Sequence, residues 1–440
     1  MAGYVLGGPC AILVSPRIPP EWLGSAMVFT ICMASALQAS MLIAPPWCAP
    51  VCMLVAHITL APMWALMLRV AEGRALTDMI LALISFSFVG MSGVVKAVAV
   101  VILDAGLAPR EMVAACAGGA AALGTVMSTA LASQPRPSSS DLKLRGKRER
   151  AGSLADGAGL LRRLGVGILA NTIAVVLVGA HRQYRDFFMP EVFAAGGLGS
   201  SPSALAASET AIGVVVLSCI GMLSFVTDNL TALRVILTLG GLGGILIAGL
   251  SAGWLSNMIP GPLWVFGVGA GDFLAYMPLT TVLFDRLLAA AGETMTSAIL
   301  PIIMDTSISL GAALLLVLRE LALSGGEDGD ETVASVASFF ATLSQGVGAC
   351  VTVLIVLEAA AFEQSIARAR AKTAGSGDVL PNAIGVDSLD ADIDEASHLL
   401  QSSSRSLGNL HSSEPPEPDG RLPGAPLSLE SVPQTSDQNP

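Results

Sequence analysis

Long stretches of this chain contain no charged residue. No Asp, Glu, Lys or Arg occurs from Trp22 to Leu68, and similar runs extend from Val235 to Gly271 and from Thr332 to Leu357. An uncharged apolar stretch of roughly 18 residues or more can cross the hydrocarbon core of a bilayer as a helix. The pattern therefore predicts a polytopic membrane protein.

Breaks within these runs divide the apolar pattern into ten predicted spans. Pro45, Pro46 and Pro50 interrupt the first run, because proline lacks the N–H that a helix needs and restricts the residue before it. The Pro-Gly-Pro sequence at 260–262 marks a turn inside the second run. The spans lie near residues 27–45, 49–68, 78–103, 111–132, 163–181, 208–227, 232–254, 261–283, 295–318 and 333–358.

Composition agrees with an all-α membrane bundle. The chain is 53% hydrophobic and 13% charged, whereas soluble domains contain about 25% charged residues. Most of the acidic surplus behind the net charge of -11 lies in loops and in a C-terminal tail, so it says little about ligands. The seven cysteines lie almost entirely in apolar segments without a CxxC pair, which favours small buried side chains over a zinc site or a disulfide framework.

Basic residues are distributed unevenly between the two sides of the predicted bundle. With the N-terminus in the cytoplasm, sixteen Lys and Arg residues fall in inside loops and four in outside loops, as the positive-inside rule requires. The outside set is Arg110, Arg182, Arg185 and Arg319. The acidic loop 320–331 also falls outside. Both termini of this multi-pass protein are therefore predicted to be cytoplasmic.

A polar, basic segment separates two unequal groups of spans. Residues 133–162 are rich in Ser, Arg and Lys and lack apolar periodicity, which predicts a cytoplasmic linker that lies against the anionic inner leaflet. Four spans precede it in an incomplete N-terminal bundle, 1–132. Six spans follow it in a C-terminal bundle, 163–372. The lipid bilayer is thus the first expected partner.

The composition changes again after Lys372. Ser, Pro, Asp and Gly dominate residues 373–440, which predicts a disordered cytoplasmic tail. Within this tail Glu395, Leu399 and Leu400 match the acidic dileucine pattern that sorting adaptors recognise in eukaryotic endosomal proteins. An endosomal or vacuolar membrane is one interpretation of that match, and plain disorder is the other.

A six-span half that follows a long basic linker resembles the major facilitator superfamily, whose two six-helix halves are joined in this way. Several strings are also similar to an uncharacterised branch of that superfamily, which is known only as a domain of unknown function. They lie within residues 40–320 and read MWALMLRVAEGRALTD, SGVVKAV, HRQYRDFFMPEVFAA, SETAI, DNLTAL and FGVGAGDFLAYMPLTTVLFDRLLA. The most specific parts are RxxEGR and FDR.

The resemblance implies two helical halves around a transport cavity. The chain departs from the family at the front, since the first two helices of the family have no clear counterpart before Trp22. It departs again at Gln183 and Phe187, where the family repeats an Arg-Asp pair and follows it with Asn. The expected fold is therefore an all-α, major-facilitator-like bundle of about ten transmembrane helices, with the first two helices missing.

Ionisable residues inside the spans are candidates for a substrate or ion pathway. Lys96, Asp272 and Asp305 lie well inside predicted spans, where a charge costs roughly 2.5–3.5 kcal/mol on insertion scales. Each should face a partner or water, and Lys96 is expected to pair with Asp272 or Asp305. A packing ion pair accounts for them as well as a transport path does. Glycines before Asp272 and Pro278 after it predict a flexible backbone, which favours a binding role for this carboxylate.

Three charges follow the fifth predicted span. Arg182, Arg185 and Asp186 have the residue types of an extracellular gate, because Arg can bind a carboxylate or phosphate in bidentate geometry. A solvated helix end is the competing interpretation, and the sequence favours it.

Further charges lie in two short turns that are predicted to be cytoplasmic. Asp228 lies in one turn, and Asp285 and Arg286 lie in the other. The resemblance implies that such charges form pairs that latch the inward gate. Capping of the neighbouring helices explains the same residues.

Enzyme motifs are lacking. The membrane portion contains two histidines, His57 and His181, and the sequence has no HExxH or GxxxxGK[ST] motif. We therefore expect no enzyme activity, no cofactor, no metal site and no nucleic-acid partner. The sequence predicts a secondary transporter of an unidentified small solute that works by alternating access, with protons as a candidate coupling ion. The alternative is a non-transporting receptor or scaffold that descends from a transporter.

Overall fold

The structure is a computed structural model that describes residues 2–74, 76–135, 137–141, 154–199, 201–291, 297, 299–323 and 333–376. These residues belong to one compact unit, Met1–Asn382. The second unit, Ala383–Pro440, lies outside the described residues, as do the dileucine pattern at Glu395, Leu399 and Leu400 and most of the acidic loop 320–331.

Within the described ranges the chain forms fourteen α-helices, joined by turns and short 3₁₀ segments. The first six are α1 (Ala2–Val14), α2 (Leu23–Ala39), α3 (Ala49–Leu60), α4 (Met63–Ala71), α5 (Thr77–Asp104) and α6 (Pro109–Ala132). The other eight are α7 (Leu154–Phe187), α8 (Met189–Ala195), α9 (Pro202–Met222), α10 (Asn229–Leu255), α11 (Gly261–Thr280), α12 (Leu283–Ala291), α13 (Ile299–Leu323) and α14 (Val333–Ser376).

Ten helical segments of the described residues are long and apolar enough to cross a membrane, which confirms the ten predicted spans. They are Pro20–Leu42, Pro46–Ala71, Thr77–Asp104, Pro109–Ala132, Leu164–Phe187, Pro202–Phe225, Asn229–Leu255, Gly261–Ala291, Leu300–Leu321 and Ser335–Arg368. The helix ends differ from the sequence boundaries. In particular, α7 begins at Leu154, inside the predicted linker 133–162, and α14 continues to Ser376.

Several spans begin at residues that satisfy the free N–H groups of a helix end. Pro109 opens α6, where its missing N–H is not needed, and the Glu111 side chain accepts a hydrogen bond from the backbone N–H of Ala108 at 2.8 Å. Pro202 opens α9, and Ser201 caps it by accepting from a backbone N–H one turn later. These starts are local sequence signals, so they fix where the helices begin.

Two helix pairs make the closest packing between the halves. One pair is α5 with α9, and the other is α1 with α13. α1 lies before Trp22 and is shorter than a membrane span, yet it packs against both α13 and α3. A Cβ on Gly8 would lie 1.9 Å from the Thr306 hydroxyl oxygen, so glycine is required at this contact. The structure therefore places a short helix in a region where the sequence predicted none.

The core lies in the C-terminal half. There α7 packs against α11, α13 and α14, and α10 packs between α11 and α14. In the most apolar stretches of Leu164–Phe187 and Gly261–Ala291, 61% and 94% of the residues are buried, against 17% in Thr77–Asp104 and 11% in Pro109–Ala132. Most of the buried polar side chains among the described residues also lie in this half.

Candidate functional site

Three charged residues form a cluster where α5 faces the end of α7. The Lys96 ammonium donates to Asp186 Oδ1 at 2.9 Å, and Arg182 Nη1 donates to Asp186 Oδ2 at 2.8 Å. One carboxylate is thus shared by a cation from each half of the molecule. The expected pairing of Lys96 with Asp272 or Asp305 is wrong. Lys96 binds Asp186 instead, a carboxylate in the last turn of α7.

Aromatic rings surround the guanidinium of Arg182. Its Cζ lies 5.1 Å from the ring centroid of Phe88, 5.6 Å from that of Phe273 and 5.1 Å from that of Tyr276. Ring faces attract a cation, and more strongly when water is excluded. Phe88 belongs to α5 and the other two rings to α11, so both halves hold this side chain. In the described part of the chain, the buried Nε of Arg182 has no hydrogen-bond partner.

The candidate Asp305 approaches the same region from α13. Its side chain is half-buried and lies within electrostatic range of Arg182, of Tyr276 on α11 and of Tyr4 on α1. The structure therefore brings Asp305 and the Lys96 cluster together through Arg182. Asp272 lies within electrostatic range of Arg185, one turn after His181 on α7.

Arg185 forms a second ion pair, and this one is fully buried. Its Nη2 donates to Glu209 Oε1 of α9 at 2.7 Å, and both side chains are fully buried. Arg182 is also nearly buried. The favoured interpretation of these residues as a solvated helix end is therefore wrong. The reason is that α8 follows directly and packs on α11 and α14, which covers the end of α7.

Asp272 takes part in a hydrogen-bonded chain that joins three helices. Its Oδ1 lies 2.7 Å from Nδ1 of His181 on α7, and Nε2 of that histidine lies 2.7 Å from the hydroxyl of Ser344 on α14. All three side chains are fully buried. The glycines before Asp272 and Pro278 after it were predicted to make the backbone flexible, but they do not interrupt the helix. α11 continues unbroken past Asp272 and ends only after Pro278.

The order Asp, His, Ser matches that of a hydrolase triad, but the surroundings do not suit nucleophilic attack. The Ser344 hydroxyl donates to the carbonyl of Phe340 at 2.7 Å, one turn earlier on the same helix. The His181 ring stacks on Phe340, with centroids 4.7 Å apart and planes at 15°. The Ser344 hydroxyl is fully buried and bonded to its own helix, so the arrangement corresponds to interhelical packing.

Arg286 joins the halves at the other end of α5. It forms an ion pair with Asp78 in the first turn of α5, and its Nη1 and Nη2 donate to Asn229 Oδ1 at 2.9 Å and to the Leu223 carbonyl at 3.0 Å. Asp285 is buried beside it on α12. One of the predicted latch residues therefore contacts the opposite half.

Asp228, the third predicted latch residue, forms hydrogen bonds within the start of its own helix. Its Oδ2 accepts from the backbone N–H of Thr231 at 2.7 Å and from the Thr231 hydroxyl at 2.5 Å. These bonds cap the start of α10, so the geometry of Asp228 corresponds to the capping alternative.

The RxxEGR segment, residues 69–74, forms hydrogen bonds with two loops near the start of α5, where Asp78 lies. Arg69 Nη1 donates to the Ile18 carbonyl at 2.9 Å, and Glu72 Oε2 accepts from the backbone N–H and hydroxyl of Ser297 at 3.0 and 2.9 Å. Partial burial lowers the pKa of Arg74 from its usual value, and nearby Asp141 opposes that shift. The segment therefore connects the N-terminal half with the turn before α13.

Four residues of these networks were not predicted from the sequence as site residues: Asp78, Glu209, Ser344 and His181. Asp78 is the second residue of its helix and Glu209 the eighth, and both lie near the start of a span, so a search for charges deep inside spans passes over them. Both belong to strings that carry the family resemblance, and that signal could have found them. Within the described ranges, no group of His, Cys, Asp or Glu side chains could hold a metal ion.

A family model described as a family of unknown function, DUF5690, matches residues 1–365. No curated protein matches the chain.

Solved structures of transporters are similar in fold. A major facilitator superfamily transporter, FucP, in the outward conformation has a TM-score of 0.52 at 11% identity, over 81% of this chain and 86% of that chain. The proton:xylose symporter XylE bound to 6-bromo-6-deoxy-D-glucose has a TM-score of 0.52 at 15% identity, over 80% and 82%. At such identities the similarity shows the fold alone, which is that of the major facilitator superfamily.

Proposed function

Because the chain belongs to DUF5690, a family of unknown function, and has the major facilitator fold, we propose that it is a secondary transporter of a small solute. It works by alternating access, in which the two halves rock about a central site and open it to one side of the membrane at a time.

The observation that supports this proposal most directly is a pair of ion bridges at two levels of α5. Asp78 binds Arg286 near the start of this helix, and Lys96 binds Asp186 beyond its middle. At 1.5 Å per residue the two levels are about 27 Å apart along the axis. Each bridge connects one half with the other. A rocking motion that opens one level can therefore keep the bridge at the other level, which gives each closed gate its own ion pair.

Protons are the coupling ion that we propose, and Asp305 is the residue that carries them. The sequence favoured Asp272, but that carboxylate is fully buried and bound by His181, whereas Asp305 is half-buried beside Arg182 and the two tyrosines. A carboxylate that exchanges protons with water must be reachable by water. The name of the similar proton:xylose symporter also makes protons a reasonable candidate.

The coupling proposal predicts different results for the two aspartates. In proteoliposomes Asp305→Asn should abolish uphill accumulation under a proton gradient and retain solute exchange, because exchange needs no net proton movement. Asp272→Asn is the matched variant, and it should keep accumulation if it folds. The measurement is uptake of radiolabelled solute with and without an imposed pH gradient. Steep accumulation by Asp305→Asn would remove the coupling role from this residue.

The transport proposal itself is tested with the unmodified chain. Xylose, glucose, lactate and benzoate are suitable first solutes, since they cover neutral and anionic classes. Saturable uptake that exceeds that of protein-free vesicles is the expected result. Arg286→Gln should slow it, and Arg234→Gln should not, because the Arg234 pair with Glu363 is exposed on the surface. If no solute moves in any direction, the receptor or scaffold alternative replaces the transporter.

A further inference from the structure

The cluster of Lys96, Arg182 and Asp186 differs from the other ion pairs of the interior in its access. The Lys96 and Asp186 side chains are 30% and 20% exposed, whereas those of Arg185 and Glu209 are both 0% exposed. A small molecule can therefore reach the first cluster without unfolding the helices around it. The second pair offers no such access.

The hydrogen-bonded cluster has two cations and one carboxylate, and Asp305 is a further carboxylate within electrostatic range of Arg182. Two cations share the single carboxylate of Asp186, one through each of its oxygens. A guanidinium has five N–H donors, and the buried Nε of Arg182 has no partner among the described residues. Arg182 can therefore present donors to the carboxylate of a ligand, which it binds best in a bidentate manner.

The rings beside Arg182 define what surrounds such a ligand. Phe88, Phe273 and Tyr276 lie within 5.1 to 5.6 Å of its guanidinium and offer apolar faces and edges. A sugar needs several polar partners around its ring hydroxyls. An acid with one carboxylate and an apolar or planar body needs one cationic pair and apolar contacts, which is what these residues supply.

We propose that this cluster binds the carboxylate of an organic monoanion, which replaces Asp186 on Lys96 and Arg182. The inference rests on the proposed transport function and specifies its substrate class. Arg185 lies within electrostatic range of Asp186 and remains a favourable neighbour for the displaced carboxylate. Because Lys96 and Asp186 belong to opposite halves, ligand binding also breaks the bridge between them and so releases one gate.

Chemical rescue tests the replacement directly. The full chain carrying Asp186→Asn lacks the internal carboxylate, so an added one should take its place. In detergent, benzoate should raise the melting temperature of Asp186→Asn more than that of the unmodified chain, and it should bind about tenfold more tightly. Benzamide, which has the same shape without the charge, should have no effect. Glu209→Gln is the matched control, because the Arg185 site is sealed and benzoate cannot reach it.

Equal shifts with benzoate and benzamide would overturn the assignment, as would rescue of Glu209→Gln to the same extent as Asp186→Asn. If Asp186→Asn does not fold, the unmodified chain decides: benzoate should raise its melting temperature above that with benzamide, and Arg182→Lys should bind benzoate about 10- to 100-fold more weakly. Saturable glucose uptake without any benzoate binding would refute the carboxylate site and leave the transport function intact. Benzoate binding without movement of any solute would refute the transport function and leave the carboxylate site intact.

Discussion

Glu358 of α14 is a buried carboxyl group without a compensating partner among the described residues. Its side chain is fully buried, and neither oxygen has a hydrogen-bond partner in the described part of the chain. A polar group in this position lowers the free energy of unfolding, since it loses its bonds to water and gains none. The residue is therefore a local source of instability within a well-packed helix.

We expect Glu358→Leu to stabilise the protein by about 1–3 kcal/mol, because an apolar side chain of similar size removes the unpaired polar group. Glu363→Leu is the matched control on the same helix. It breaks the exposed pair with Arg234, so its effect should stay within about 1 kcal/mol. Thermal or chemical unfolding in detergent measures both. A large loss of stability in Glu358→Leu would mean that this carboxyl group binds something in the folded protein.

The sequence could show that buried charges need partners but not which partners they have. The expectation that Lys96 needs an acid was correct in kind and wrong in the residue, since the acid is Asp186. Partner choice depends on the rotation of each helix about its own axis and on the register between neighbouring helices. A single sequence does not specify either quantity, so Asp272 and Asp305 could not be separated from Asp186.

At the scale of helices, α10 depends on glycines for its close approach to both neighbours. A Cβ on Gly243 would lie 2.6 Å from the Gly271 carbonyl oxygen and 2.6 Å from the Ala275 backbone nitrogen of α11. A Cβ on Gly348 of α14 would lie 2.5 Å from the Gly244 carbonyl oxygen. Backbone atoms of packed helices cannot move aside cheaply. These contacts therefore set the spacing of three helices.

Gly243→Ala should destabilise the protein by about 1–3 kcal/mol, because the added methyl group forces α10 and α11 apart. Gly249→Ala is the control in the same helix. Nothing lies within 4 Å of its Cβ position, so alanine should be neutral or stabilise by up to about 1 kcal/mol through its higher helix propensity. Melting temperatures of the two purified variants give the comparison. Equal values would show that α10 is not tightly packed at Gly243.

Helix positions were the part of the fold that the sequence predicted best. Charge-free runs and prolines indicated all ten spans, since both act through local backbone and bilayer constraints. Packing faces were predicted less well. Gly240, Gly244, Gly249 and Gly253 recur along α10 at the spacing typical of close helix contacts, yet a Cβ on Gly249 would meet nothing within 4 Å, whereas one on Gly243, outside that series, would lie 2.6 Å from backbone atoms of α11. Glycine spacing predicts a close helix contact but does not identify the neighbouring helix.

At the scale of the whole molecule, the orientation in the membrane is still a prediction from basic residues. Of the four outside residues, Arg182, Arg185 and Arg319 are buried in the bundle, and Arg110 lies in the first turn of α6. Tags at residue 150 and after residue 400 should be reached only from the cytoplasm, and a tag near residue 326 only from the opposite side. Protease access in sealed vesicles measures this. Protection of residue 150 from the cytoplasmic side would reverse the topology.

The low burial of the first four spans has a consequence for biosynthesis. Helix α5 packs most closely on α9, whose last residue, Met222, is synthesised about 120 residues after Asp104 at the end of α5. At about 5–20 residues per second, α5 is complete roughly 6 to 24 s before its main neighbour exists. During that interval its buried face, which includes Asp78, has to be shielded by the insertion machinery or by lipid. The order of synthesis thus leaves the N-terminal helices dependent on the later half for their final assembly.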